Sequence, residues 1–320
     1  MFPTLFTFSQ DHGLSMGLAH AGEAGVIGFH TWGLMVMLAF LAAFLLVSAR
    51  APKVGIEPDS LVPLYLIISI FGMAGARLLH FVFAEPDAFF ANPLVFFDMG
   101  QGGFAFLGGV LGGVISGAVY AGVRKIPVLK LADVAAPAIM LALGIGRMGC
   151  FFAGCCHGQV CALPTDVPMT VRSVLLSLPG GSIVTVDGFP FLALVFERGV
   201  GVGAIFDVPL FPTQMWEIAT GVTLFALLSW MWARARYFDG QILAAMMVLY
   251  AAARITIEGF RGDVVRGVDQ FGSGLSTSQL VGVALVVTAA IIVAWRAPKG
   301  VAPEQEVVFD DDDDYDLAQG

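Results

Sequence analysis

Three charged side chains lie where the surrounding sequence offers no water. Arg147 sits inside the run Val134–Phe152, and Arg254 and Glu258 sit inside Gln241–Phe260, both otherwise read as membrane-crossing helices. An ionised side chain at bilayer depth costs roughly 2.5–3.5 kcal/mol on insertion scales, so such residues face the bundle interior and carry function. Two arginines there imply an anionic ligand, and a phospholipid phosphate is the anion nearest to hand. Guanidinium binds phosphate in bidentate fashion. Leu143 and Phe151 occupy the positions four residues either side of Arg147. Its own helix therefore supplies no counter-charge, and a bound phosphate is the expected neutraliser.

Other residues join this set by spacing. Tyr250, Arg254, Glu258 and Arg261 follow one another at intervals of four, four and three and so share one helix face. The alternative for Arg254 and Glu258 is an i,i+4 ion pair that merely neutralises itself. Glu217 opens a span after Phe211-Pro-Thr-Gln-Met-Trp, and Asp133 precedes Val134. A carboxylate in a first helical turn suits the macrodipole, which is the plainer reading of both. His30 stands at the outer edge of the first span, and Arg77 and His80 near the outer end of the second, where they are expected to snorkel. Cys150, Cys155, Cys156 and Cys161 surround His157. Their C-x4-C-C-x4-C spacing is not the C-x2-C pairing of common zinc sites. Packing thiols with one disulfide, a pocket wall beside Arg147, and a metal site all stay open.

The elements that must hold these groups follow from composition. The chain is 58% hydrophobic and 13% charged, with 27 Phe. That composition excludes a soluble core and calls for long apolar spans. The reading is an all-α polytopic membrane protein with about seven transmembrane helices: Phe29–Ser48, Leu61–Phe83, Phe104–Ala121, Val134–Phe152, Trp216–Trp232, Gln241–Phe260 and Leu280–Trp295. Basic residues cluster on one side of these spans, at Arg50, Lys53, Arg124, Lys125, Lys130, Arg234, Arg236, Arg296 and Lys299. The positive-inside rule then puts the N-terminus outside and the C-terminus inside.

Three regions follow: an exported segment 1–28, a membrane domain 29–297, and an acidic cytoplasmic tail 298–320 carrying Asp310 to Asp314 and Asp316. The tail reads as disordered, dominates the net charge of −9, and argues against nucleic acid as a partner. Met1–Glu23 lacks a basic leader, so the first span is expected to direct insertion. The loop 155–213 reads as an exported subdomain with some strand, notably Ser182–Asp187, and a short helix. In the third span, Gly108-Gly109 and Gly112-Gly113 bring small residues to helical spacing. Close helix packing is the first reading, and a glycine-lined slot for a lipid headgroup is compatible with it.

Taken together these residues resemble the bacterial prolipoprotein diacylglyceryl transferase family, from Gly28 to Trp295. His30-Thr-Trp-Gly-Leu-Met35, Phe71–Arg77, Asn92-Pro93-Leu94 and Gly102–Gly109 match successive family segments. Asp133–Gly158, built around Gly-Arg-x-Gly, matches its most specific block and puts Arg147 at the essential arginine. Pro212–Glu217, Tyr250–Arg261 and Leu275–Gln279 resemble the remaining elements. The departures are Leu107 for the histidine of His-Gly-Gly, Cys150 for an asparagine, Cys155 for a glutamate, and Trp32 for a tyrosine.

The resemblance implies transfer of a diacylglyceryl group from phosphatidylglycerol to the lipobox cysteine of a prolipoprotein in the bacterial plasma (inner) membrane. The implied partners are phosphatidylglycerol, prolipoprotein signal peptides with a lipobox, and the bilayer. No metal or organic cofactor is implied. Arg147 and Arg254 would take the departing phosphate, with Tyr250, Gly108, Gly109, Gly149, Gly154 and Arg261 around them. Glu258 would orient Arg254, and Glu217, His30 and His157 are candidates for the base. The alternatives are a related transferase on another lipid or acceptor, and a lipid-binding scaffold repurposed for thiol-redox or metal chemistry.

Overall fold

The computed structural model describes residues 4–9, 13–16, 26–97, 103–160, 171–178, 181–186, 192–195, 209–262 and 275–299. For the strands, save Ala193 and Leu194, only the backbone is described. Strands β1 (Thr4–Ser9), β2 (Gly13–Met16) and β3 (Val26–His30) lead into the helices α1 (Thr31–Arg50), α2 (Leu61–Ala84), the short α3 (Pro86–Ala91), α4 (Phe106–Val123) and α5 (Val128–Ala153). Strands β4 (Val171–Leu178), β5 (Gly181–Val186) and β6 (Leu192–Val195) follow, then α6 (Thr213–Arg234), α7 (Gln241–Glu258) and α8 (Thr277–Arg296).

The described residues thus hold two antiparallel three-stranded sheets, ordered β2-β1-β3 and β4-β5-β6, beside the helices of the expected all-α membrane domain, and β5 falls on the strand expected at Ser182–Asp187. The first lies in the segment before the helices, where the sequence reading placed no structure. The calls on Cys161 and on the tail from residue 300 lie outside the described residues.

All seven expected spans coincide with long helices, and six of these are long and apolar enough to cross a membrane. The exception is α6, which carries Thr213, Gln214 and Glu217 in its first turns. Outward faces are hydrocarbon-like: Phe40, Leu41, Ile70, Phe71, Val287 and Ile291 are each exposed. Such apolar surface demands lipid or protein around it rather than water. The chain is accordingly a predominantly helical, polytopic membrane protein.

The described residues form two compact units, one drawn from Met1–Leu46 and Asp133–Val301 and the other from Val47–Ala132. In the second unit, α2 and α4 pack backbone to backbone. A Cβ on Gly75 would stand 2.5 Å from the Gly108 carbonyl oxygen, and one on Gly109 would rest 3.5 Å from the Gly72 oxygen. Gly108 is therefore consumed by helix packing. Arg77 does not snorkel. It is 1% exposed and donates to the carbonyls of Val95, Phe96 and Gly103 at 3.4, 3.2 and 3.1 Å, with its guanidinium over the Phe81 ring. This arginine ties the loop after α3 to α2.

In the first unit, Ala136 and Met140 of α5, Leu224 and Leu228 of α6, and Ile242 of α7 make a common core. Helix α5 begins six residues earlier than the apolar run alone indicated, so Asp133 lies within it rather than ahead of it. Its carboxylate accepts from Gly240 N at 2.7 Å and Leu243 N at 3.0 Å, satisfying the amino end of α7 instead of its own helix. At the far end, α5 stops at Gly154, whose φ of +68° is the left-handed conformation that glycine adopts without strain. Cys155 N then donates back to the Cys150 carbonyl at 3.1 Å. Helix α8 starts with a capping box: Ser276 Oγ accepts from Gln279 N, and Gln279 Oε1 accepts from Ser276 N.

Candidate active site

Gly144 on α5 and Gly221 on α6 let the two helices touch. A Cβ on Gly221 would lie 2.7 Å from Gly144 N. The helices run antiparallel through this point, so three residues further along α5 and four residues back along α6 a second meeting occurs. There Arg147 Nε stands 2.7 Å from Glu217 Oε2, as an ion pair rather than an aligned hydrogen bond. The glycine contact sets the distance that the ion pair needs.

Glu217 is the hub of the site. Its other oxygen accepts from Arg254 NH1 at 3.2 Å and faces Arg261 NH1 at 3.7 Å. Arg254 NH2 reaches Glu258 Oε2 at 2.9 Å and donates to Ser278 Oγ at 2.9 Å. Three arginines against two carboxylates leave the cluster one formal positive charge. All five side chains are largely withdrawn from solvent, yet Arg147 keeps 18% and Arg254 14% exposure. Carboxylates at 3–5% are buried beneath them. The cations thus form the accessible layer and the anions the support, which is the order an incoming anion requires.

Several expectations are corrected here. Arg147 is neutralised by Glu217, with no phosphate needed to account for its burial. Glu217 does not open α6, which starts at Thr213, so it lies beyond the first turn, and its carboxylate is committed to arginines of other elements rather than to its own helix dipole. The i,i+4 pair of Arg254 and Glu258 exists and is one edge of a larger network. Arg261 is not on the helix face of Tyr250, because α7 ends at Glu258. It reaches the site through a β-bridge between Arg261 and Gly158, secured where Gln159 Nε2 donates to the Arg261 carbonyl at 3.1 Å. Ser278 was not foreseen. Its only signal is a hydroxyl in the first turn of the last span.

The remaining candidates sort by position. Tyr250 packs against the core shared by α5, α6 and α7. Gly149 is buried where a Cβ would stand 3.0 Å from that of Met35 and 3.3 Å from Trp32 Cδ1, so it admits α1 against α5. Gly154 terminates α5. Gly108 and Gly109 serve the α2–α4 contact in the other unit. His30 ends β3, paired with Thr4. His157 is buried, its Nδ1 3.0 Å from the Gly158 carbonyl oxygen. Beside Arg147, the sulfurs of Cys150, Cys155 and Cys156 lie within 4.8 Å of one another, and all three cysteines are free thiols. The Cys156 thiol is held below its ordinary range, first by hydrogen bonds from the Cys150 and Cys155 thiols and then by the charges of Arg147 and Arg261.

Fold and site together define a polytopic membrane protein with a buried, cation-rich centre. Residues 20–295 match the family model described as prolipoprotein diacylglyceryl transferase. Similar proteins named phosphatidylglycerol–prolipoprotein diacylglyceryl transferase include that of Clostridium tetani, 30% identical over 78% of this chain and 86% of that protein. That of Geobacter sulfurreducens is 30% identical over 74% and 79%. That of Yersinia enterocolitica is 30% identical over 85% and 90%. The chain belongs to the prolipoprotein diacylglyceryl transferase family.

Proposed function

We propose that this protein transfers the diacylglyceryl group of phosphatidylglycerol to the thiol of a prolipoprotein lipobox cysteine. The observation that carries this reading is the arginine–glutamate centre inside a chain that matches the family over most of its length. In the reaction the cysteine sulfur attacks the glyceryl carbon that bears the phosphate. The carbon–oxygen bond breaks, a thioether forms, glycerol phosphate leaves, and the thiol proton passes to a base.

Arg147 and Arg254 take the departing phosphate. Glu217 engages Arg147 through Nε, and the Arg147 side chain keeps 18% exposure with which to face a ligand. Fixed cations in a water-poor site stabilise such developing charge strongly. Glu217 and Glu258 act by holding the arginines. As a base Glu217 is poorly suited, since protonation would leave three cations facing one another. His157, buried in the turn that follows α5, and His30 are the remaining candidates for the base. Tyr250 and Arg261 complete the wall, and Gly149 and Gly154 shape it. Gly108 and Gly109 act through the packing of α4.

A groove of about 440 Å³ between α6 and α7, lined among others by Trp216, Ala253, Ile257 and Phe260, supports lateral entry of a lipid chain. Seven spans with the N-terminus outside, α6 among them, in the bacterial inner membrane, complete the proposal. The segment 1–28 and the loop subdomain 155–213 then lie on the exported face, and 298–320 on the cytoplasmic face.

Purified protein in phosphatidylglycerol liposomes with a lipobox peptide tests the reading. Mass spectrometry should find the diacylglyceryl peptide and released glycerol phosphate with the wild type and neither with Arg147→Ala. Absence of adduct from folded wild-type protein would overturn it.

A further inference from the structure

The three thiols at the end of α5 are assembled by the backbone rather than merely close in sequence. Gly154 at φ +68° and Cys156 at φ +59° reverse the chain so that Cys155 and Cys156 fold back over Cys150. A left-handed conformation is uncommon for a residue with a side chain and persists only where the surroundings enforce it. The enforcement is visible. Gln214 Nε2 donates to the Cys155 carbonyl at 3.0 Å and Thr213 Oγ1 to the Cys156 carbonyl at 3.1 Å. Gly262 N donates to the His157 carbonyl at 3.2 Å. Cys150 is itself buried and fixed by its helix.

From this geometry we infer a metal site: Cys150, Cys155 and Cys156 bind one thiophilic divalent cation of the zinc class. Zinc–thiolate bonds of about 2.3 Å place ligand sulfurs roughly 4 Å apart, within reach of three sulfurs that already lie inside 4.8 Å of one another. Charge agrees. Three thiolates around a divalent ion carry one net negative charge, and the neighbouring arginine–glutamate cluster carries one net positive charge. Cys150 follows Arg147 by one helical turn on α5, so the loaded site and the arginine cluster balance one another. Softness of the donors selects zinc-like ions over magnesium or calcium. A water completes the fourth position. The ion would clamp the turn Gly154–His157 to the end of α5, one helical turn beyond Arg147, and so stiffen the wall of the arginine cluster. The site does not depend on the transferase reading.

The test uses the full chain in detergent, reduced, stripped with a chelator and titrated with Cd²⁺ while thiolate-to-metal absorption in the ultraviolet is followed. The expected result is saturation at one ion per chain, displacement by Zn²⁺, and a higher melting temperature with metal. The variant C150S/C155S/C156S, which keeps Cys161, should lose the absorption. Because that variant can misfold, Zn²⁺ protection of the wild type supplies a second arm. Alkylation mapped by peptide mass spectrometry should spare Cys150, Cys155 and Cys156 only when metal is present. Absorption that survives in the triple variant would overturn the site. So would no binding by a reduced chain with titratable thiols, or a disulfide between any two of the three in protein purified without reductant.

Discussion

The α2–α4 interface and the α5–α6–α7 centre solve the same problem with opposite chemistry. Both bring helices together in surroundings where apolar side chains gain little by leaving lipid for protein. Between α2 and α4 the device is subtraction: Gly72, Gly75, Gly108 and Gly112 remove side chains until backbone meets backbone. Between α5, α6 and α7 the device is addition: Glu217 of α6 reaches Arg147 of α5 and Arg254 of α7 across the gaps, with Glu258 and Arg261 beside them. The first arrangement is inert and holds shape. The second keeps cations partly open and is the proposed seat of reactivity, at the cost of desolvating five charges. Gly144 and Gly221 show that the second depends on a small copy of the first.

The sharpest way to break the comparison is to remove the hub. Glu217→Leu leaves three arginines without their shared carboxylate and should destabilise the protein by about 3–5 kcal/mol, as loss of one partner of a buried pair does. Transferase activity should disappear with it. The double variant Arg147→Met/Glu217→Leu removes a charge of each sign and should recover most of the stability but none of the activity. Thermal unfolding in detergent and the liposome assay separate the two effects. A double variant as unstable as the single one would mean that the ion pair does not hold the helices.

The second-largest effect is expected at Gly221→Ala. A Cβ there meets Gly144 N at 2.7 Å, so α5 and α6 must part by a fraction of an ångström or more. Misplacement of a reacting group by about 1 Å can cost roughly 100-fold in rate. Stability should fall by about 1–3 kcal/mol, as for any volume forced into a backbone contact, and the rate by more, seen as a drop in kcat per folded molecule. A stability loss with unchanged kcat per folded molecule would assign Gly221 to packing alone.

How much of this was legible in the sequence depends on range. The helices were readable because an apolar run of span length admits few other structures. Arg147 and Arg254 were readable because charge in such a run is costly. Glu217 was under-read because a local rule, the helix dipole, already explained it, while its true partners lie on α5, α7 and the segment after α7. Asp133 failed in the same way. Lys130 and Asp133 ended the apolar run, and the helix went on because Asp133 finds the amides of Gly240 and Leu243 on another helix. Arg261 continued a perfect periodicity past the point where Gly259 ends α7, and only the bridge to Gly158 brings it back. In the loop the alternation of Ser182–Asp187 marked β5, whereas the short strands before α1 left weak marks. The meeting of Cys150 with Cys155 and Cys156 turns on two left-handed residues, one of them a cysteine that no spacing rule would place there.

The glycine interface yields the next effect. Gly75→Ala should destabilise by about 1–3 kcal/mol, the range for forcing added volume into a packed contact. The obstacle is the Gly108 carbonyl, which is backbone and cannot swing aside. Activity per folded molecule should be unchanged, in contrast to Gly221→Ala. A rate loss at Gly75→Ala without a stability loss would erase the distinction between the two interfaces.

The smallest effect belongs to a residue that resembles the centre but should not behave like it. Asp133 is a buried acid in the same unit, 1% exposed, yet its two oxygens accept from backbone amides of Gly240 and Leu243. It caps a helix rather than pairing a cation at the site. Asp133→Asn keeps one acceptor oxygen and the side-chain shape, so the loss should be about 1 kcal/mol, as for a helix cap. Asp133→Ala should lose more, because the amides at the start of α7 are then left buried without a partner. Both variants should retain normal kcat, since α7 holds Arg254 at its opposite end. Melting temperature and initial rate on the same preparations decide it. A rate loss with Asp133→Asn would show that burial of an acid in this unit, and not the arginines it touches, is what marks the reactive centre.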